Sequence, residues 1–145
     1  MKELKVKGIE NGTVIDHIPG GRATKVLEIL KPNGETTLVA INVSSTKLGK
    51  KDIVKIENKF LSTDETNKIS LIAPTATINI IRDFKVSEKR KVELPVEVNG
   101  IVKCPNPNCI SNEKEELVKA KLKKEGSNYR CYYCERVFPA AELVG

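Results

Sequence analysis

The feature that most constrains this chain is the placement of its four cysteines, Cys104, Cys109, Cys131 and Cys134, all within residues 104–138. Their spacing is C-x4-C-x21-C-x2-C. Two close pairs separated by about twenty residues suit tetrahedral zinc, because each pair supplies two thiolates from a tight turn. Four sulfur ligands leave no open coordination position, so we predict one structural Zn²⁺ ion rather than a catalytic one.

The segment between the cysteine pairs predicts a β-hairpin. LVKAKLKKEGSNYRC contains two strand candidates joined by Glu125–Asn128. A tail of about 45 residues is small enough that a metal usually contributes to its folding. We therefore predict a small all-β zinc domain over residues 104–145, preceded by a connector at residues 96–103.

Residues 1–95 contain no cysteine, and their apolar patterning predicts an α+β domain. LKVKGI alternates as a strand does, and GTVIDHIPGG holds a short apolar pair before a Pro-Gly-Gly break. ATKVLEIL has helical spacing, and Ser62 and Glu65 form a capping box for a second helix that ends near Ile72. TTLVAINV (expected to be buried on both faces), IVKIENKFL and TATINIIRDFKV are further strands, and EKRKVELPVEVNG is a charged connecting stretch.

This order of elements predicts a ferredoxin-like fold, in which two helices pack on one face of an antiparallel sheet. The predicted architecture is therefore an N-terminal ferredoxin-like domain followed by the small zinc domain. We find no internal repeat and no low-complexity tract in the sequence.

The charge distribution locates a possible anion site. The chain has a formal net charge of +6. The tail becomes nearly neutral once four thiolates and one Zn²⁺ are counted, so the positive excess belongs to the N-terminal domain. A neutral zinc module is a poor nucleic-acid clamp, because neutralising phosphates supplies most non-specific affinity.

Other functional classes are disfavoured by the sequence. The N-terminus has no apolar signal-peptide core, and no apolar run is long enough to cross a membrane, so we expect a cytoplasmic protein with neither membrane nor nucleic-acid partners. No Walker, G-x-G-x-x-G or G-x-S-x-G motif is present. A zinc-ribbon nucleic-acid binder and a small metalloenzyme are the alternatives.

Two short stretches could contact an anionic ligand. Lys51 and Lys55 are four residues apart and face the same side of an extended strand, where two ammonium groups could meet a polyphosphate. Asp16 and His17 could contact a ribose, a ring amine or a phosphate. Both patterns also fit ordinary features, a solvated strand face for the lysines and a polar turn beside Pro19 for the Asp-His pair.

The stretches GTVIDHIP, GKKDIVKIENKFLS, LIAPTATINIIRDFKV and CPNPNCIS, taken together and in this order, closely resemble the regulatory chain of aspartate carbamoyltransferase. The resemblance covers the chain from about Leu4 onward. It implies a non-catalytic subunit whose N-terminal domain binds CTP and ATP as effectors and forms a homodimer. It also implies that the zinc domain contacts the catalytic chain of an enzyme in pyrimidine biosynthesis.

The resemblance further implies particular site residues. The nucleotide-binding residues carried over by motif are Val6, Lys7, Gly8, Ile9, Val14, Asp16, His17, Lys51, Lys55, Asn79, Ile81, Phe84, Val86 and Lys89. The residues expected to face the catalytic chain are Asn106, Asn108 and Glu135. This sequence departs from the family where Lys7 stands at a commonly acidic position and Phe84 replaces a tyrosine.

Overall fold

The computed structural model describes residues 8–144. Within residues 8–95, the first part contains five strands and two helices. Its elements are β1 (Gly12–Pro19), α1 (Ala23–Leu30), β2 (Thr37–Ser45), β3 (Gly49–Glu57), α2 (Thr63–Ile72), β4 (Thr77–Arg82) and β5 (Lys85–Lys91). The second part contains β6 (Glu97–Asn99), β7 (Lys121–Glu125), β8 (Asn128–Cys131) and β9 (Val137–Pro139), with short 3-10 helices at Ile110–Asn112 and Ala140–Val144.

The first sheet has the strand order β2-β3-β1-β4-β5, and each neighbouring pair is antiparallel. The order of β1 to β4 is that of a ferredoxin-like domain, and β5 adds a fifth strand at one edge. Ile15, Val54 and Ile78 on one face of the sheet form a buried core with Val26 of α1 and Ile69 of α2. The predicted fold class, two helices on one face of an antiparallel sheet followed by a small all-β domain, is confirmed.

Several predicted elements differ from the structure. GTVIDHIPGG forms the full-length strand β1 at the centre of the sheet, not a short apolar pair. β2 is an edge strand without a fully buried residue, so the expectation that it is buried on both faces was wrong. The apolar run of β2 misled the prediction because an edge strand can carry apolar residues that a further partner would cover.

The region around residues 77–100 also differs from the prediction. TATINIIRDFKV is a hairpin in which Asp83 and Phe84, both with positive φ, form the turn between β4 and β5. The stretch predicted as a charged connection contributes Glu88–Lys91 to β5 and all of β6. The predicted strand at residues 4–9 lies mostly outside the described residues, and Gly8 and Ile9 belong to no strand.

The two helices begin and end largely as predicted. The Ser62 side chain accepts a hydrogen bond from the Glu65 N–H, and the Glu65 carboxylate accepts one from the Ser62 N–H, which completes the predicted capping box. Among residues 8–144, no helix is long and apolar enough to cross a membrane.

The second sheet has the order β6-β7-β8-β9, all antiparallel. The predicted hairpin is present as β7 and β8, with Glu125 paired to Asn128. Tyr129 is fully buried in this second core, where its hydroxyl donates to the Pro95 carbonyl at 2.6 Å. The two parts of the chain pack together, because Leu71 of α2 belongs to the second core and Val144 packs against the first.

Asp52 of β3 joins three separate backbone segments. Its carboxylate is fully buried and accepts hydrogen bonds from the backbone N–H groups of Gly21 at 2.9 Å, Ala23 at 3.0 Å and Asn42 at 2.9 Å. The first two N–H groups lie at the start of α1, and the third lies in a bulge of β2. Asp52 is an acceptor-only group surrounded by donors, so its charge is compensated without a basic side chain.

We predict that Asp52→Asn will lower the free energy of unfolding by roughly 2–3 kcal/mol. The amide oxygen can keep the Gly21 and Ala23 bonds, but the amide NH₂ then faces the Asn42 N–H, so two donors meet in a buried site. Guanidinium denaturation followed by far-UV circular dichroism measures the change. Asp64→Asn, at an exposed position in the first turn of α2, is the matched control and should change stability by less than about 1 kcal/mol. Equal stability of the two variants would contradict this role of Asp52.

Candidate metal centre and ligand cavity

The four cysteine sulfurs form one compact cluster. All four Sγ atoms lie within 4.8 Å of one another. The Cys104–Cys134 and Cys109–Cys131 Sγ distances are both 3.7 Å. A tetrahedral zinc ion with Zn–S bonds of about 2.3 Å requires S···S distances of roughly 3.8 Å. The cluster therefore fits one four-coordinate zinc ion, as the spacing predicts.

Backbone geometry in two tight turns directs the sulfurs toward each other. At the first turn, the side-chain amide of Asn112 donates hydrogen bonds to the backbone carbonyls of Cys104 at 2.9 Å and Asn106 at 2.7 Å. In the second turn, the Glu135 N–H donates to the Cys131 carbonyl at 3.0 Å, and Glu135 has φ 62°. Both turns thus hold their cysteine pairs through hydrogen bonds that the sequence spacing alone does not reveal.

The electrostatics of the cluster also fit a bound cation. Burial raises the pKa of the Cys104 and Cys131 thiols, because it disfavours the charged thiolate. Burial opposes ionisation of Cys134 too, but hydrogen bonds from the Arg136 N–H and the Asn106 side chain lower its pKa to about 7. Zn²⁺ would supply the positive charge that makes four adjacent thiolates stable.

The three predicted partner-contact residues surround this cluster in different environments. Asn106 is buried, and its Oδ1 accepts from the Asn108 N–H at 3.1 Å, so its side chain stabilises the first turn. Asn108 and Glu135 are exposed. Ile110 and Tyr132, near the same turns, are exposed apolar residues that were not predicted as contacts.

A second candidate site is a cavity of about 530 Å³ on the face of the first sheet opposite the helices. Its volume lies within the range of roughly 300–1,000 Å³ usual for small-molecule sites. Eight of the residues predicted to bind nucleotide line it: Val14, Asp16, Lys51, Lys55, Asn79, Ile81, Val86 and Lys89. We call this the open-face cavity.

Strand pairing explains why residues distant in sequence meet in the open-face cavity. Val14 of the central strand is paired with Lys55 on one side and Asn79 on the other, and Asn79 is paired with Lys89. Directly paired residues lie on the same face of a sheet. Lys55, Val14, Asn79 and Lys89 therefore form one row across four strands.

Bulges in β1 and β5 adjust which side chains face the cavity. In β1, a register shift between Ile15 and Ile18 accommodates His17 with φ 57°. This shift leaves Asp16 on the cavity face and Ile18 in the core. In β5, the shift between the Ile81–Val86 and Ile80–Glu88 pairs lets both Val86 and Lys89 line the cavity, although they are three residues apart.

Charge in the open-face cavity is mainly positive. Lys51 forms a salt bridge with Asp16, with Nζ and Oδ1 3.0 Å apart. Lys55 and Lys89 form no salt bridge with the described residues. A phosphate group can therefore be met by two uncompensated ammonium groups and by a third that is shared with a carboxylate.

Four other residues predicted to bind nucleotide, Gly8, Ile9, His17 and Phe84, do not line the cavity. His17 faces Thr77, with Nδ1 and Oγ1 3.1 Å apart, and burial lowers its pKa while Asp16 partly opposes that effect. Phe84 is 67% exposed at the β4–β5 turn, and Ile9 is buried elsewhere. Gly8 is exposed outside the cavity lining. Val6 and Lys7 lie outside the described residues.

One wall of the cavity was not predicted from the sequence and consists of Leu38, Val39, Ala40, Val43 and Ile53. Ile53 could have been found, because it lies between Lys51 and Lys55 at the period-2 positions of one strand face. The β2 residues could not have been identified in this way, because the apolar run of this strand predicted burial on both faces.

Comparisons with known proteins match both parts of the chain. Residues 4–93 match the family model of the aspartate carbamoyltransferase regulatory chain, allosteric domain, and residues 96–144 match the metal binding domain of the same chain. The chain belongs to the aspartate carbamoyltransferase regulatory chain family. The resemblance noted in the sequence is thereby confirmed.

Named relatives agree over almost the full length. An aspartate carbamoyltransferase regulatory chain from Thermococcus gammatolerans is 56% identical, with 100% of this chain and 99% of the relative covered. The one from Thermococcus sibiricus is 60% identical, covering 99% and 97%. The one from Methanopyrus kandleri is 53% identical, covering 92% and 88%.

These matches establish the type of protein. Both matched domains belong to a regulatory chain, so the expectation of a regulatory rather than a catalytic subunit is confirmed. The metal binding domain includes all four clustered cysteines. Its expected cofactor, one structural zinc ion, agrees with both the family and the sulfur geometry.

Proposed function

We propose that this chain binds CTP and ATP as effectors in the open-face cavity and transmits their effect to catalytic trimers of aspartate carbamoyltransferase. The observation that carries this proposal is the row of Lys55, Val14, Asn79 and Lys89 across four strands, with Lys51 beside it. The matched family model is an allosteric domain, which requires an effector site.

The chemistry of the cavity suits a nucleoside triphosphate. The ammonium groups of Lys51, Lys55 and Lys89 can contact the ribose hydroxyls and phosphates as point charges. The apolar side chains of Val14 and Ile81 can pack against a planar base. The resemblance also implies contacts from Val6, Lys7, Gly8, Ile9, His17 and Phe84. Of these, Gly8, Ile9, His17 and Phe84 do not line the open-face cavity, so the proposal rests on the eight residues that do.

Calorimetric titration of CTP, and then ATP, into the zinc-loaded chain tests this assignment. We expect micromolar binding, about −8 kcal/mol. Lys55→Ala should weaken it by about 1.5–3 kcal/mol, the usual cost of losing a hydrogen bond to a charged group.

The matched control is Lys50→Ala, which removes the same charge from an exposed residue of the same strand that does not line the cavity. We expect its affinity for both nucleotides to equal that of the unmodified chain. Equal losses in the two variants would show a general charge effect and contradict a site at Lys55.

We also propose a homodimer through the N-terminal domain, with β2 at the interface. β2 is an edge strand that exposes Leu38, Val39 and Ile41, and Ile41 is 54% exposed. The opposite edge, β5, has the sequence KVSEKRK and is protected by charge. An apolar edge strand with unpaired backbone groups favours pairing with a second copy.

Ile41→Lys tests the dimer without changing a residue that lines the open-face cavity. A lysine on the exposed edge should oppose strand pairing, so sedimentation equilibrium should show monomers at concentrations where the unmodified chain is dimeric. Val96→Lys, at an exposed β-branched residue outside β2, is the control and should remain dimeric. A dimeric Ile41→Lys variant would exclude this edge as the interface.

The zinc domain is the proposed contact with the catalytic chain. Asn108 and Glu135 are exposed beside the cysteine turns, together with Ile110 and Tyr132, which supports a contact surface there. Effector and active sites that lie apart communicate only if each ligand prefers one of at least two states, with a coupling of typically ~1–3 kcal/mol.

This proposed role belongs to pyrimidine biosynthesis. Clustered unpaired thiols in a metal-binding domain support a reducing, cytoplasmic location.

Cys109→Ser should abolish stoichiometric zinc binding and assembly with the catalytic chain, because metal-binding energy is folding energy in such domains. Nucleotide binding should remain largely intact, since the open-face cavity contains no residue of the zinc domain. Zinc content and co-purification with the catalytic chain are the measurements, and Asn108→Ala, which leaves the sulfurs in place, is the control for zinc. Assembly of Cys109→Ser at the normal stoichiometry would contradict the proposal.

A further inference from the structure

A second cavity lies where the two domains meet. Its volume is about 540 Å³, and its lining comes from α1 and α2 on one side and from residues 100–103 and 143–144 on the other. It shares no lining residue with the open-face cavity. We call it the interdomain cleft.

The interdomain cleft combines an apolar wall with basic residues. Ile29, Val102 and Leu143 contribute apolar surface. Three lysines line the same cleft from separate segments, Lys31 at the C-terminal end of α1, Lys68 in α2 and Lys103 immediately before Cys104. Lysines from three segments thus converge on one concave surface.

The charges in the interdomain cleft are not balanced by the protein. None of the three lysines forms a salt bridge within residues 8–144. Among the described residues, the acidic side chain in the lining is the exposed Glu28. Converging cations repel one another and raise the local concentration of anions. An apolar wall beside them favours an anion that also carries a hydrophobic group.

We propose that the interdomain cleft is a second anion site, for a small organic molecule that carries phosphate or carboxylate groups on an apolar body. Such a ligand contacts both domains at once, so its binding favours the domain arrangement in which Lys31, Lys68 and Lys103 line one cleft. By linkage, it shifts any equilibrium between that arrangement and others.

Methyl NMR on the zinc-loaded full chain, titrated with phenyl phosphate, locates the site. The Lys55→Ala background weakens competition from the open-face cavity. We expect saturable shifts of the Ile29, Val102 and Leu143 methyl signals. Shifts confined to Val14 and Ile81, or no shifts at the highest soluble concentration, would overturn the proposal. A parallel titration with phthalate shows whether phosphate or carboxylate binds more tightly.

Charge variants in the same background test the lysines. Lys68→Ala should weaken phenyl phosphate binding roughly threefold, as expected for one partly exposed ion pair. Glu28→Gln should tighten it, because the change removes a repulsive charge. The control is Lys25→Ala, at an exposed position of α1 that does not line the cleft. Equal affinities in Lys68→Ala and Lys25→Ala, with unchanged thermal unfolding, would also overturn the proposal.

Discussion

The hydrogen bonds to the buried Asp52 carboxylate are the constraint on which the first domain most depends. They hold the start of α1 and the bulge at Asn42 of β2 to β3, and Asp52 is paired with Ile18 directly after the bulge of β1. A buried carboxylate that loses its hydrogen-bond donors destabilises the folded state, so the segments that supply these donors must fold together. The same strand arrangement that brings hydrogen-bond donors to Asp52 on the core face places Asp16 and Lys51 on the opposite face, in the open-face cavity.

The bulges show how a sheet can form a cavity on one face without losing its core on the other. A strand with regular alternation would place Val86 and Lys89 on opposite faces, because side chains alternate with a period of two. One extra residue in β5 brings both to the open-face cavity. In β1 the extra residue allows Asp16 to line the open-face cavity while Ile18 packs in the core. Bulges of this kind commonly adjust side chains at functional sites.

The sequence predicted the features that depend on local chemistry. The cysteine spacing predicted the metal centre, and Ser62 with Glu65 predicted the start of α2, because each depends on residues close in the chain or on ligand chemistry alone. The sequence did not reveal the exposure of β2, the strand β5 or the three bulges. These depend on which strands become neighbours, and Asp52, an unremarkable residue in its strand, acquires its donors only through those tertiary pairings. The resemblance to a known family named eight cavity residues, of which spacing and residue type alone had indicated only Asp16, Lys51 and Lys55 as candidates.

The junction between the two domains consists of residues that pack in both cores. α2 contributes Ile69 and Ile72 to the first core and Leu71 to the second, so one helix belongs to both. Val144, at the other end of the contact, packs against both cores. Packed cores respond to strain as units rather than by continuous deformation. A shift of Ile69 therefore also requires a rearrangement around Leu71. Because zinc stabilises the fold around the cysteines, the second domain has little freedom to rearrange internally. It therefore responds by moving as a rigid body.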